Sequence, residues 1–286
     1  MIIGAMINVV YGVAEMLREI QFLALLGIHL VRFPIYTPDA LDLQNFQRLS
    51  EAYLQALDTI TPEAAANGQT FIIDMHSAPA GLCTNAVVQQ WFADYWGSIA
   101  ARYGDNPSIA AFEILNEPHC AAKTWNRIAR SVAAAIRANT EKEIIVMHRF
   151  SDPRYMQDLA PLPFSNVLYA FHFYLPMNIT HQGAGERVGG RYTKSAAWMR
   201  KQLSAVEKFK NRYHVRIVNT EFGCSRFSGN PRYNNQTAWI QDSINSFGQV
   251  GAELAIYNGI TDLPWDVWSP FLNPPAMMVI TKETGR

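Results

Sequence analysis

The chain predicts an α/β fold of the (β/α)8 class, a TIM barrel, with an irregular or shortened last helix. Three observations carry that expectation. Short β-branched and apolar runs alternate with amphipathic helical stretches along the chain, the pattern of parallel βαβ units. Eight such runs can be marked, and eight units close naturally into a barrel. Hydrophobic residues make up 49% of the 286 and charged residues 17%, so a sizeable core can be buried. Barrels routinely reach this length as one unit, so residues 1–286 read as a single catalytic-sized domain.

In order, Ile2–Asn8 is a short strand and Val13–Leu26 an amphipathic helix stopped by Gly27. Ile28–Phe33 is the second strand, ended by Pro34. Leu41–Asn67 has helical periodicity, with Gly68 as its stop. Thr70–Asp74 is the third strand, and Ala86–Tyr103 the next helix, rich in Trp and Phe. The fourth strand, Ile109–Leu115, ends in Asn116-Glu117-Pro118, where the proline stops it. Lys123–Ala138 (helix), Glu143–Met147 (strand), a short helix near Arg154–Leu159 and Val167–Phe171 (strand) follow. Thr193–Arg212 is predicted helical, Val215–Asn219 a strand, Asn234–Gln249 a helix and Ala252–Tyr257 the eighth strand. After Tyr257, proline and glycine interrupt any amphipathic pattern. The glycine-rich stretch Leu175–Tyr192 is a long loop carrying His181, Arg187 and Arg191. Loops of this length in a compact domain are more often functional or disordered than neutral, which favours a cleft wall over a plain surface insertion.

Composition excludes several classes. Lys plus Arg (24) equals Asp plus Glu (24), without charge blocks, which argues against a nucleic-acid surface. No window approaches the ~18 apolar residues of a membrane span. The apolar start lacks a basic leader and runs into Glu15, Arg18 and Glu19, so it reads as strand plus helix and not as a signal peptide. Three cysteines are too few for a disulfide scaffold. Cys83 and Cys120 follow adjacent strands; a disulfide and two free thiols are equally open. No familiar zinc spacing appears, so neither metal nor cofactor is expected, and the chain is expected to act as a monomer.

In a barrel the active site lies at the carboxyl ends of the strands. Those ends read Arg32, His76, Asn116-Glu117, His148, His172 with Tyr174, Glu221 and Tyr257. Glu117 and Glu221 are three βα units apart, at ~30 or more residues per unit, which places them on the fourth and seventh strands, facing each other across the mouth. Two carboxylates flanking a cavity are what glycosidic-bond cleavage requires. Either Glu alone could be an exposed loop carboxylate; the pair points to chemistry. Glu113 shares side-chain parity with Glu117, ~6.5 Å deeper, and reads as a buried, paired barrel residue. Asp74 stands in the same relation to His76. His148 is as readily structural as part of a pocket.

Five motifs carry a family resemblance: VRFP on the second strand, DMHSAPAG on the third, LNEPH on the fourth, FHFY on the sixth and TEFG on the seventh. Their types and order resemble glycoside hydrolase family 5, the retaining cellulases and related β-glycanases, over roughly residues 28–257. The resemblance implies Glu117 as acid/base, Glu221 as nucleophile and Asn116 as holder of the sugar 2-hydroxyl. It implies that Arg32 keeps Glu221 ionised and that Tyr174 positions it. His76 and His172 would bind sugar hydroxyls or orient the carboxylates. Where the family has a tryptophan platform after the eighth strand, this chain has Ile256-Tyr257-Asn258; Tyr257, or Trp265 or Trp268 folding back, is expected to stack instead. The implied activity is a retaining endo-acting β-glycanase, first an endo-β-1,4-glucanase (cellulase), independent of cofactors, secreted, with a β-glucan or related polysaccharide as substrate. β-Mannanase, xyloglucanase and β-1,3-glucanase activities are related alternatives. A carbohydrate-binding barrel without turnover and a metal-dependent barrel enzyme are readings of other classes.

Overall fold

The computed structural model describes residues 1–9, 12–181, 191–224 and 235–258. Within them eight strands close into a barrel in chain order, the class the alternating pattern predicts. They are β1 (Ile2–Met6), β2 (Leu30–Ile35), β3 (Thr70–Met75), β4 (Ile109–Glu113), β5 (Glu143–Met147), β6 (Val167–Phe173), β7 (Arg216–Phe222) and β8 (Ala252–Tyr257). All neighbours are parallel, and β8 returns to β1 from Ile2↔Leu254 to Ala5↔Tyr257. The helices are α1 (Val13–Leu25), α2 (Leu43–Ala66), α3 (Ala86–Tyr103), α4 (Ala122–Arg137), α5 (Met177–Thr180), α6 (Ala196–Gln202), α7 (Ser204–Tyr213) and α8 (Asn235–Val250). The tail expected to hold an irregular last helix lies outside the described residues, and so do Trp265 and Trp268.

Strand side chains alternate between the two faces of a sheet, and this parity decides what enters the barrel. Ile72, Ala111, Ala170 and Ile256 belong to an inner apolar plug, with Leu30 packed against it. Two residues further along these strands stand Arg32, Asp74, Glu113 and His172, all fully buried, and Asn258. A polar layer therefore rests directly on the plug at the carboxyl ends. The intervening positions, among them Phe33, Phe112, Val146 and Tyr257, join the outer core under the helices.

The helices follow the complementary period. In α4 the buried residues are Trp125, Ile128, Ala129, Val132, Ala133 and Ile136, an i, i+3, i+4 stripe. Three buried tryptophans also tie helices to strand exits. Trp96 of α3 donates to the Ile114 carbonyl at 3.0 Å, Trp125 of α4 to Met147 at 2.8 Å, and Trp239 of α8 to Leu175 at 2.9 Å.

Several elements differ from expectation. β2 continues through Pro34, because β1 pairs with it only as far as Met6↔Arg32, and the proline sits where that neighbour is already gone. The helix expected over Thr193–Arg212 is two, α6 and α7, separated at Leu203, where ψ opens to 4° and the side chain is fully buried in the core. The short helix near Arg154 is a 3-10 turn, Pro153–Asp158, started by the Asp152 side chain accepting from the Arg154 N–H at 2.9 Å. β6 and β7 run on to Phe173 and Phe222, which takes His172 and Glu221 into the sheet.

Gly4 shows how closely β1 is packed. A Cβ there would lie 2.6 Å from the Leu30 carbonyl oxygen and 2.5 Å from Ile256 Cδ1. The side chain can turn away, but the carbonyl cannot leave the strand. Gly4→Ala is expected to destabilise the fold by about 1–3 kcal/mol, the usual scale of overpacking; an unchanged urea-unfolding midpoint would show that β1 can move aside.

Candidate active site

The site is built on one buried cation. Arg32, on β2, is fully buried and distributes its donors over carboxylates from three other strands. Nε and Nη2 reach Glu113 at 2.7 and 3.2 Å, Nη1 reaches Glu221 at 2.9 Å, and Nη2 also reaches Asn116 at 3.0 Å and Asp74 at 3.1 Å. Asp74 in turn accepts from His76 Nδ1 at 2.7 Å. A buried charge is tolerable only when paired and hydrogen-bonded, and here each carboxylate comes from a different strand.

Glu221 faces inward because β7 bulges. Phe171↔Asn219 is followed by His172↔Glu221, so Thr220 is an extra residue, and parity flips after the inward Val218. The Asn219 amide stitches the irregularity, donating to the carbonyls of Phe171 at 2.9 Å and Glu221 at 3.1 Å. The Tyr174 hydroxyl donates to Glu221, and the Asn258 amide donates to that hydroxyl oxygen at 2.7 Å and to Glu221 Oε1 at 3.3 Å. Burial pushes the Glu221 carboxyl up, but the positive field of His172, Arg32 and His76 and the Tyr174 hydrogen bond outweigh it, lowering it to about 2. Tyr174 itself is pushed well above the usual phenol range by burial and by the Glu221 charge, so it remains a donor.

Glu117 leaves the end of β4 with φ at +35°, a left-handed conformation costing non-glycine residues on the order of 1–3 kcal/mol. Its Oε1 meets His172 Nδ1 at 2.7 Å, and His172 Nε2 meets the Thr220 hydroxyl at 3.2 Å. Burial disfavours the imidazolium of His172, yet the Glu221 charge and the hydrogen bond with Glu117 win, and its pKa is raised. One oxygen of Glu117, a ring nitrogen of His172 and one oxygen of Glu221 all lie within 4.8 Å of one another. Among the described residues this is the group able to share a metal ion, but both His172 nitrogens are already engaged, so a metal would have to displace the Glu117 contact.

Two hollows meet at Glu117. One, of about 290 Å³, is bounded by Glu221, Tyr174, Asp152, Met177, His181 and Asn258. The other, of about 420 Å³, is bounded by Tyr36, Asp39, His76, Asn116 and His119. The structure thus brings together Arg32, His76, Asn116, Glu117, His172, Tyr174 and Glu221. It does not bring Tyr257. That ring is fully buried, edge-on to Phe222 at 5.2 Å, with its hydroxyl accepting from the Cys224 N–H at 3.2 Å. Parity explains the correction: Ile256 points inward, so Tyr257 faces the helices and Asn258 reaches the mouth. Trp265, also expected to bind substrate, lies outside the described residues. His148 takes the structural alternative, fully buried with Nδ1 on the Arg149 carbonyl at 2.8 Å and its pKa lowered by burial to about 3. Glu113 is the buried, paired residue its parity predicts. Cys83 and Cys120 form a disulfide. Sequence reasoning missed Asn258, Asp152 and Tyr36; each is polar or aromatic just past a strand exit. The loop expected to wall the cleft contributes Leu175, Met177 and His181.

The family model described as cellulase, glycosyl hydrolase family 5, matches residues 11–270. The chain belongs to that family. Among curated relatives of this family 5 chain, endoglucanase C of Acetivibrio thermocellus is 28% identical over 179 residues, covering 58% of this chain and 52% of that protein. The chain thus spans about half the length of the curated endoglucanase it matches. The cellulose synthase subunit Z of Clostridioides difficile has a TM-score of 0.80 at 19% identity, covering 100% of both chains. Cel5A of Thermotoga maritima, solved with mannotriose, has a TM-score of 0.78 at 19% identity, covering 92% of this chain and 89% of that one. At such identity these structures speak to the fold alone. Among the described residues, no helix is long and apolar enough to cross a membrane.

The depressed Glu221 carboxyl predicts a pH signature in this family 5 chain. A folded-state value below the unfolded one stabilises the fold fully above pH ~4.3, and the contribution is lost as the pH falls towards 2. Between pH 6 and pH 2 the wild type should lose more unfolding free energy than Glu221→Gln, because only the wild type must protonate a carboxyl held low in the folded state. Urea unfolding across that range tests this, and parallel curves would contradict the assignment.

Proposed function

We propose that this family 5 chain is a retaining, endo-acting β-glycanase, in the first instance an endo-β-1,4-glucanase, with Glu117 as acid/base and Glu221 as nucleophile. The observation that carries the reading is the spacing of the two carboxylates. Retaining enzymes hold them ~5–5.5 Å apart and inverting ones ~6.5–9.5 Å, and one oxygen of each lying within 4.8 Å of the other supports the shorter class.

The residues around the pair suit each step. Glu221, kept ionised by Arg32 and oriented by Tyr174, attacks the anomeric carbon while the bond to the leaving oxygen breaks and Glu117 supplies that oxygen with a proton. A covalent glycosyl ester results. Glu117, now a carboxylate beside His172, takes a proton from water; the water oxygen attacks the anomeric carbon and Glu221 departs. Two inversions retain the configuration. Asn116, fixed by Arg32 at 3.0 Å, is placed to hold the 2-hydroxyl. Hollows on both sides of Glu117 support cleavage within a chain, with sugar units bound on either side of the broken bond. Glucose-based chains are favoured by the endoglucanase relatives. Mannan, xyloglucan and β-1,3-glucan belong in the same test because the loops around the hollows decide among them. Secretion fits this reading, since the substrate is a polymer outside the cell.

The deciding experiment is reducing-sugar release from mixed-linkage glucan, carboxymethylcellulose, glucomannan and xyloglucan, with product anomers followed by NMR. β-Anomers should appear first, and Glu117→Ala should lower kcat/KM on polymer by ~10²–10⁴, the scale of general acid–base catalysis. α-Anomers first would overturn the mechanism. Binding without turnover on every glycan would favour the non-catalytic barrel.

A further inference from the structure

The segment Asn116–Cys120 that carries Glu117 belongs to neither strand nor helix, yet it must hold a left-handed backbone at Glu117. Pro118 adds to the demand, since a residue preceding proline is itself restricted. Besides the side-chain contacts of Asn116 with Arg32 and of Glu117 with His172, three hydrogen bonds reach the backbone of the segment from outside: Asn116 N–H to the Met75 carbonyl at 2.9 Å, Phe150 N–H to the Pro118 carbonyl at 3.3 Å, and Arg149 Nη1 to the Cys120 carbonyl at 3.1 Å. A further restraint is covalent. Cys120, three residues past Glu117 and buried, is joined to Cys83 across 37 residues of sequence.

Cys83 has a firm base. It lies in a tight turn where Leu82 N–H bonds the Pro79 carbonyl at 3.2 Å and Asn85 N–H bonds the Gly81 carbonyl at 2.8 Å. Asn85 then caps α3, its side chain accepting from the Val87 N–H at 2.9 Å, and α3 is anchored in the core through Phe92 and Trp96. The bond therefore connects the strained end of β4 to the start of a rigid helix. Strained backbone persists only where its surroundings over-determine it, and geometry lost by about an ångström at a reacting group costs rate far more than it costs binding.

We propose that the Cys83–Cys120 disulfide is a positioning device for the acid/base: it holds Glu117 in its left-handed conformation against His172, so that proton delivery to the leaving oxygen depends on the bond. The inference rests on the reading of Glu117 as acid/base. Within glycosylation, it predicts an effect only where the leaving oxygen needs the proton that Glu117 supplies. A leaving group that departs as a stable phenolate needs no proton, whereas a sugar or a poorly acidic phenol does.

The test compares the wild type with Cys83→Ser/Cys120→Ser on two aryl cellobiosides, one with a highly acidic dinitrophenol leaving group and one with unsubstituted phenol. Under single-turnover conditions, which report glycosylation alone, the phenyl substrate should lose tenfold or more in rate. The dinitrophenyl substrate should change less than twofold, and KM should hardly move for either. Equal losses on both substrates, or none on either, would overturn the proposal. Hydrogen exchange over Asn116–Cys120 supplies a readout that needs no turnover: amide protection should fall at least tenfold in the double variant while the strands keep theirs. If the wild type cleaves no glycan and no aryl glycoside, the functional reading fails, and unchanged exchange in this segment then separately refutes the brace. If the double variant does not fold, the folded wild type, with the disulfide reduced by dithiothreitol and the thiols then alkylated, is read in the same two assays.

Discussion

A guanidinium buried at the top of an apolar plug is the constraint from which the mouth of this barrel is built. Arg32 cannot be left alone in that environment, and its five donors are too many for one partner. Carboxylates therefore arrive from β3, β4 and β7, and their separation is set by the fork of a single planar group. Asp74 and Glu113 satisfy the cation from below, while Glu221 takes the remaining face with one oxygen directed at Arg32 and the other at Tyr174. Glu113 pays for this arrangement: burial and the nearby Asp74 charge push its carboxyl up, against the pull of Arg32. Glu221, the proposed nucleophile, is thus the outermost member of a charge cluster whose deeper members are fully buried.

The two carboxylates proposed to be catalytic reach the mouth by different irregularities. Glu221 is turned inward by one extra residue in β7, and Glu117 by a left-handed residue just beyond β4. His172 links them, touching Glu117 through one nitrogen and the bulged Thr220 through the other. Regular strands supply the floor, and departures from regularity aim the groups that do chemistry. This is the division expected where function is laid over a stable scaffold.

That division also marks what could be read from the sequence. The eight strands and their helices were legible because burial imposes periods of two and 3.6 along the chain. Glu117 and Glu221 were legible because barrel symmetry makes strand exits predictable. The bulge at Thr220 was not, since one additional residue leaves no trace in an apolar run of that length. Tyr257 was misplaced for a related reason. An aromatic at a strand exit suggests a platform, but the inward parity of Leu254 and Ile256 assigns the exit to Asn258. The break at Leu203 was hidden because a single residue near ψ 0° preserves the helical spacing on both sides of it.

The indoles of Trp96, Trp125 and Trp239 tie helices to strand exits, and their placement has an optical consequence. Among the described residues, these three tryptophans are fully buried and hydrogen-bonded to the rim on which the site stands. Their emission is therefore blue and shielded from aqueous quenchers while those bonds hold. The molecule carries its own fluorescent gauge of the rim, able to register loosening at the strand exits separately from collapse of the barrel beneath.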